Sequence, residues 1–98
     1  MEEVPGEQEG GQGLVEATLT YLAKAIVSHP EDVQVSVMPG EGTATVFRLQ
    51  VNQEDMGRVI GRHGRIARAI RQVTRAAAAK AGVGALIEIV DGTPPAPE

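Results

Sequence analysis

The stretch Val59-Ile60-Gly61-Arg62-His63-Gly64-Arg65-Ile66 sets two glycines three residues apart around an arginine and a histidine. Glycine accepts a positive φ at no steric cost and lets another backbone come close. A helix that starts just beyond such a turn presents free N–H groups and the positive end of its dipole to an anion. Arg62 and His63 add side-chain donors at the same spot, so the chemistry suggested is non-covalent: a seat for phosphate groups. A lone G-x-x-G also serves as a plain corner between helices, and its weight depends on what surrounds it. Residues 56–80 carry seven cations (Arg58, Arg62, Arg65, Arg68, Arg71, Arg75 and Lys80) and no acid, a local charge of +7. The rest of the chain holds two cations and thirteen anions, a net of −11, and the whole chain comes to −4. Phosphate contacts act within a Debye length of about 8–10 Å, so the local patch outweighs the total.

Other chemistry is thin. With no cysteine, a disulfide scaffold, a thiolate zinc site and a cysteine nucleophile are excluded. His29 and His63 are the two histidines, no carboxylate cluster is evident around either, and neither a metal nor a cofactor is expected. Glu54 and Asp55 are adjacent acids at a helix start, where they complement the dipole. His29, just before Pro30, reads as finishing a helix, where a cation suits the dipole. No nucleophile pairs with a base, so the chain reads as a binding protein and not an enzyme. Tyr21 and Phe47 are its two aromatic residues and make no platform for stacking bases. The start lacks signal-peptide character and no apolar run is long enough to span a bilayer, which leads us to expect a soluble, cytoplasmic protein.

The elements that must position the glycine turn are legible. At 98 residues the chain is one small domain, suited to a binding surface more than to a deep pocket. Residues 1–13 are rich in Gly, Glu and Gln, and residues 92–98 in Pro; both are expected to be disordered tails around an ordered unit at 14–91. Leu14, Val15, Leu19, Leu22 and Ile26 recur at helical spacing and predict a helix ending before Pro30. Val33, Val35 and Val37, then Phe47, Leu49 and Val51, alternate with other residues across a turn at 39–42 and predict a hairpin. Asn52 is placed to cap a short helix from Gln53 to Ile60. Beyond the glycine turn a longer helix runs from Arg65 to Ala79 until Gly82 and Gly84 stop it. Leu86, Ile87, Ile89 and Val90 form a last strand. The result is an α+β domain.

On the long helix, at 100° per residue, Arg65, Arg68, Arg71 and Arg75 fall within an arc of about 120°. Ile66, Ile70, Val73 and Ala77 lie nearly opposite and are expected to face the core. A charge run is most often a solvated face. Here the arginines lack i,i+4 glutamates, and Arg is used each time where Lys would solubilise equally well, which favours phosphate. Ala69, Val73 and Ala76 form a stripe of small side chains that either packs on the sheet or admits the helix of a second molecule.

"VIGRHG" after "MGR" resembles the Ile-Gly-x-x-Gly element of KH domains, whose loop clamps about four nucleotides of a single strand. The order helix, strand, strand, helix, G-x-x-G, helix, strand is similar to the type II KH fold, in which a three-stranded sheet packs against three helices. "SHPEDVQV", "EDMGRVIGRHGRIARAIR" and "AAAAKAG" together resemble the small bacterial single-KH proteins of the KhpA type. The resemblance implies a single-stranded RNA-binding surface formed by Arg58, Ile60, Gly61, Arg62, His63, Gly64, Arg65, Arg68 and Arg71, with Val59 and Ile70 helping to floor the groove. It implies a post-transcriptional or RNA-chaperone-like role. It also implies a homodimer through Ala69, Val73 and Ala76, and pairing with a larger RNA-binding partner of the Jag/KhpB type. One departure stands out: Ala67 holds the place, three residues after the second glycine, where KH domains carry a bulky aliphatic. A protein-interaction subunit with RNA or single-stranded DNA binding secondary is the competing reading.

Overall fold

A computed structural model describes residues 11–92. Helix α1 spans Gln12–Ile26, strands β1 and β2 span Gln34–Pro39 and Ala44–Val51, and helices α2 and α3 span Met56–Ile60 and Arg65–Ala81. Strand β3 (Gly84–Asp91) completes the order, with single 3₁₀ turns at Pro30–Asp32 and Gln53–Asp55 and a tight turn at Arg62–Gly64. Helix α1 starts two residues ahead of the boundary expected at 14, and residues 1–10 and 93–98, assigned from sequence to the tails, lie outside the described residues. The sheet order is β1-β2-β3. Strand β1 pairs antiparallel with β2, Val35 facing Leu49 and Val37 facing Phe47. Strand β3 pairs with β2 in parallel, Ala44 opposite Gly84 through to Val51 opposite Asp91.

Alternation sets the sheet's two faces. Thr45, Phe47, Leu49 and Val51 of the central strand are buried against the helices, joined by Ile87 from β3 and by Val15, Leu19 and Ala23 from α1. The opposite face carries the Arg48–Glu88 ion pair at 3.0 Å. On α3 the buried positions are Ala67, Ile70, Thr74 and Ala78. This corrects the expected core face: Ile66 and Val73 are 38% and 49% exposed, and the buried arc is turned by about 75° from the one that counts bulky residues. Ala67 and Ala78, small side chains in the buried arc, let α3 lie close to its neighbours, which a row of Ile and Val would prevent. Thr74 is fully buried, and its hydroxyl finds no partner among the described residues.

One buried carboxylate ties the connections together. Asp55 accepts the backbone N–H groups of Ser28 at 2.9 Å and His29 at 3.0 Å, one on each oxygen. Asn52 caps the adjoining turn by accepting the Glu54 N–H at 2.7 Å, and its amide donates to Asp32 at 2.9 Å. Asp55 therefore does more than complement a dipole. His29 does not finish a helix, since α1 ends at Ile26; its ring lies 3.1 Å from Glu54 and 3.6 Å from Glu31. The hydrogen bond to Glu54 is the chief cause of a His29 pKa above the usual histidine value. Desolvation is the largest influence on Asp55 and opposes its ionisation, but the two backbone donors, with His29 and Arg58 nearby, hold its carboxyl below the ordinary value.

The signs of these shifts fix the pH profile. Asp55 contributes stability that is present above about pH 4 and is lost as pH falls through its depressed folded value. His29 contributes stability that is complete below about pH 6.5 and is lost as pH rises through its raised folded value. Denaturation midpoints measured from pH 3 to 8 should therefore peak between these limits. Asp55→Asn should lower the midpoint throughout and flatten the acid limb, and Glu54→Gln should flatten the limb near neutrality. An unchanged acid limb in Asp55→Asn would contradict the role given to this carboxylate.

Candidate nucleic-acid interface

Helix α2 is five residues long and stops at Gly61, whose N–H still reaches the Gly57 carbonyl at 2.9 Å. Gly61 has φ 77° and ψ 172°, a region open in practice to glycine alone. A Cβ at this position would sit 2.8 Å from Ile66 Cβ and 2.9 Å from its backbone N. Gly64 is left-handed at φ 73°, ψ 16°, with open space where a Cβ would point, so here the backbone alone asks for glycine. His63 between them is also left-handed (φ 58°, ψ 25°), a conformation histidine visits more often than most residues. The Gly64 N–H closes the turn on the Gly61 carbonyl at 3.1 Å. Arg62 and His63 are thereby exposed at its tip. Helix α3 starts at once at Arg65, and no side chain caps it from the N-cap position, Gly64.

Beside the turn runs a cavity of about 460 Å³ lined by Ile60, Gly64, Ala67, Arg68, Arg71, Gln72 and Arg75. Of the residues expected at the site, Ile60, Gly64, Arg68 and Arg71 meet there, while Gly61, Arg62, His63 and Arg65 form the adjoining loop and helix start. Val59 and Ile70, expected in the groove floor, are instead core residues at 0% and 3% exposure. Ile60 and Ala67 make the apolar floor. The small Ala67 leaves it open, and Ile66 beside it packs over Gly61. Arg58 lies 3.7 Å from the Asp55 carboxylate and is the outlying member of the set. Arg71 donates its Nε to the Ile87 carbonyl at 3.4 Å, linking the groove to β3. Gln72 and Arg75 were missing from the expected site, although both stand four residues beyond a member of it, at Arg68 and Arg71.

Two further placements bear on the surface around the site. Ala69, Val73 and Ala76 are exposed, so the stripe does not pack on the sheet. The 3₁₀ turn at Pro30–Asp32 brings ligand atoms of His29, Glu31 and Asp32 within 4.8 Å of one another, a grouping not anticipated from the sequence. Each flanking member already has a protein partner, Glu54 for His29 and Asn52 for Asp32.

The two glycines should respond differently to alanine. Gly64→Ala pays the left-handed backbone penalty of about 1–2 kcal/mol. Gly61→Ala adds a collision with Ile66 and should lose more, as read by urea denaturation. Equal losses would mean that close approach is not what Gly61 provides.

A sequence profile of the KH domain of KhpA/KhpB matches residues 16–89. The chain is similar to the RNA-binding protein KhpA of Treponema pallidum, at 43% identity over 76 residues that cover 78% of this chain and 94% of that one. It is 48% identical over 69 residues to the RNA-binding protein KhpA of Clostridium perfringens, covering 70% and 91% of the two chains. The RNA-binding protein KhpA of Listeria monocytogenes matches at 41% over 78 residues, 79% of this chain and 100% of that one. Among solved structures, Era in complex with MgGDPNP and a fragment of 16S ribosomal RNA superposes with a TM-score of 0.55 at 15% identity, over 80% of this chain and 30% of that one. This likeness concerns the fold, and the present chain spans about a third of the Era chain. Among the described residues no helix is long and apolar enough to cross a membrane. With the G-x-x-G turn, the α+β topology and the profile match in agreement, the chain belongs to the KhpA/KhpB family of KH-domain proteins.

Proposed function

We propose that this protein binds single-stranded RNA along the groove between the Arg62–Gly64 turn and the exposed arginines of α3, without catalysis, as a cytoplasmic post-transcriptional or RNA-chaperone-like regulator. The observation that carries this reading is the pairing pattern of the arginines. Arg62, Arg65, Arg68 and Arg75 have no acidic partner among the described residues, and they stand around an apolar floor and an α3 start that no side chain caps. Backbone phosphates satisfy the turn and the guanidinium groups, while a base fits over Ile60 and Ala67. The names of the curated relatives support RNA as the polymer. Single-stranded DNA offers the same phosphates, so a 2′-OH preference is to be measured by direct competition.

Converting Arg62 and His63 to Asp places two anions at the phosphate seat without touching the glycines or the core, and should abolish RNA binding in a folded protein. In wild type, log K should fall with log salt by about 0.7 for each phosphate contacted. Arg65→Ala, Arg68→Ala and Arg71→Ala should each flatten that slope by up to this amount. Unchanged affinity in the double mutant, measured by fluorescence anisotropy, would remove the loop from the site.

Self-association is the second part of the proposal. Ala69, Val73 (49% exposed) and Ala76 face away from the sheet, and the neighbouring α1 exposes Leu14 and Tyr21 at 50% and 73%. Small side chains at i, i+4 and i+7 let another helix approach closely. One KH groove holds about four nucleotides, and joining two raises avidity by roughly 10² to 10⁴. A homodimer through α3, or a heterodimer with a larger KhpB/Jag-type RNA-binding protein, follows. Ala76→Glu should give a folded monomer with weaker RNA binding. Light scattering that finds a wild-type monomer at tens of micromolar, near the upper limit of a useful weak dimer, would refute self-association.

A further inference from the structure

Two arginines away from the groove and its loop are paired: Arg48 with Glu88 at 3.0 Å, and Arg58 with Asp55 at 3.7 Å. Those on the groove side of α3 have no carboxylate among the described residues. The sequence supplies one elsewhere. Residues 1–10, MEEVPGEQEG, contain Glu2, Glu3, Glu7 and Glu9 and no Lys or Arg. They precede the family match, which begins at residue 16. They join the domain at Gly11, which is seated against the end of α3, where a Cβ would lie 2.7 Å from Ala81 Cβ. Helical rise places Arg75, Arg71 and Arg68 about 9, 15 and 20 Å back along α3 from Ala81. A ten-residue chain spans about 16–19 Å r.m.s., so the glutamates are tethered within reach of these arginines at an effective concentration on the order of millimolar.

We infer that the acidic segment 1–10 docks reversibly on Arg75, Arg71 and Arg68 of its own chain and competes there with nucleic acid. The docking stands on charge and reach; the competition rests on the RNA-binding reading given above. Each surface pair is weak and salt-sensitive, so the segment yields to a strand that also engages the Arg62–Gly64 turn, and it keeps off polyanions that offer phosphate alone. Its effect is a gain in selectivity at the expense of affinity.

Because the chain has no cysteine, Gln8→Cys gives a unique spin-label site that leaves all four glutamates in place. At about 50 mM salt the label should broaden the backbone amides of Arg68, Arg71 and Arg75 but spare Arg48 and Leu86 on the opposite sheet face, and at about 0.5 M salt the effect should vanish. Absent broadening, or equal broadening on both faces, overturns the docking. So does broadening found, in the Ala76→Glu background that removes dimerisation, in a mixture where only spin-labelled copies lack ¹⁵N, since that contact runs between molecules. Replacing Glu2, Glu3, Glu7 and Glu9 by Gln should tighten binding of a fluorescent oligouridylate about threefold to tenfold at low salt and leave it unchanged at about 0.5 M. Broadening without that gain overturns the competition. If neither chain binds any RNA, the RNA reading fails and the competition with it, while the docking is judged on the broadening alone.

Discussion

The buried Asp55 carboxylate is the contact on which the geometry of the interface rests. It gathers two N–H groups from the segment between α1 and β1 and stands at the very start of α2. A five-residue helix has no stability of its own, because nucleation costs more than so few hydrogen bonds return. Helix α2 is held instead at its first turn by Asp55 and through its middle by Val59, which is fully buried. With both fixed, Ile60 and Gly61 leave the helix in one direction only, and the glycine turn inherits that direction.

Helix α3 then serves three surroundings at once. Its inward arc is built of small residues, Thr74 and a single isoleucine, which leaves two flanks free. One flank carries the arginines, and the other the Ala69, Val73 and Ala76 stripe. A core arc made of bulky residues would have consumed the second flank. The charge of the chain follows the same division: residues 56–80 carry +7 and the rest −11, and the RNA reading proposed above rests on that contrast more than on net charge.

The elements were legible in the sequence because their signals are local. Alternation of Val33 to Val37 and of Phe47 to Val51, the Asn52 cap and the glycines at 61, 64 and 82 each act within a few residues. The loop was legible for the same reason, since a positive φ announces itself as glycine. What could not be read depends on partners distant in sequence. Asp55 satisfies backbone donors 26 and 27 residues away, and a backbone N–H carries no residue-type signal. The inward face of α3 is hidden from the sequence because the space available there selects small side chains, Ala67, Thr74 and Ala78, while hydrophobic size points to Ile66 and Val73. Val59 and Ile70 went to the core for a related reason, as apolar residues near a groove look alike from sequence whichever way they point. The grouping of His29 with Glu31 and Asp32 arises from a 3₁₀ turn that Pro30 starts.

The parallel pairing of β2 with β3 joins residues 40 positions apart in every rung, from Ala44 with Gly84 to Val51 with Asp91. Closing a loop of that length has an entropic cost that must be met before the pairing returns anything, and such non-local contacts slow folding. The loop being closed contains α2, the glycine turn and α3. The interface elements therefore lie inside the segment whose ends the parallel pairing holds together. On the RNA-binding reading proposed above, a change that loosens β3 from β2 should weaken engagement of a strand even though every arginine is still present.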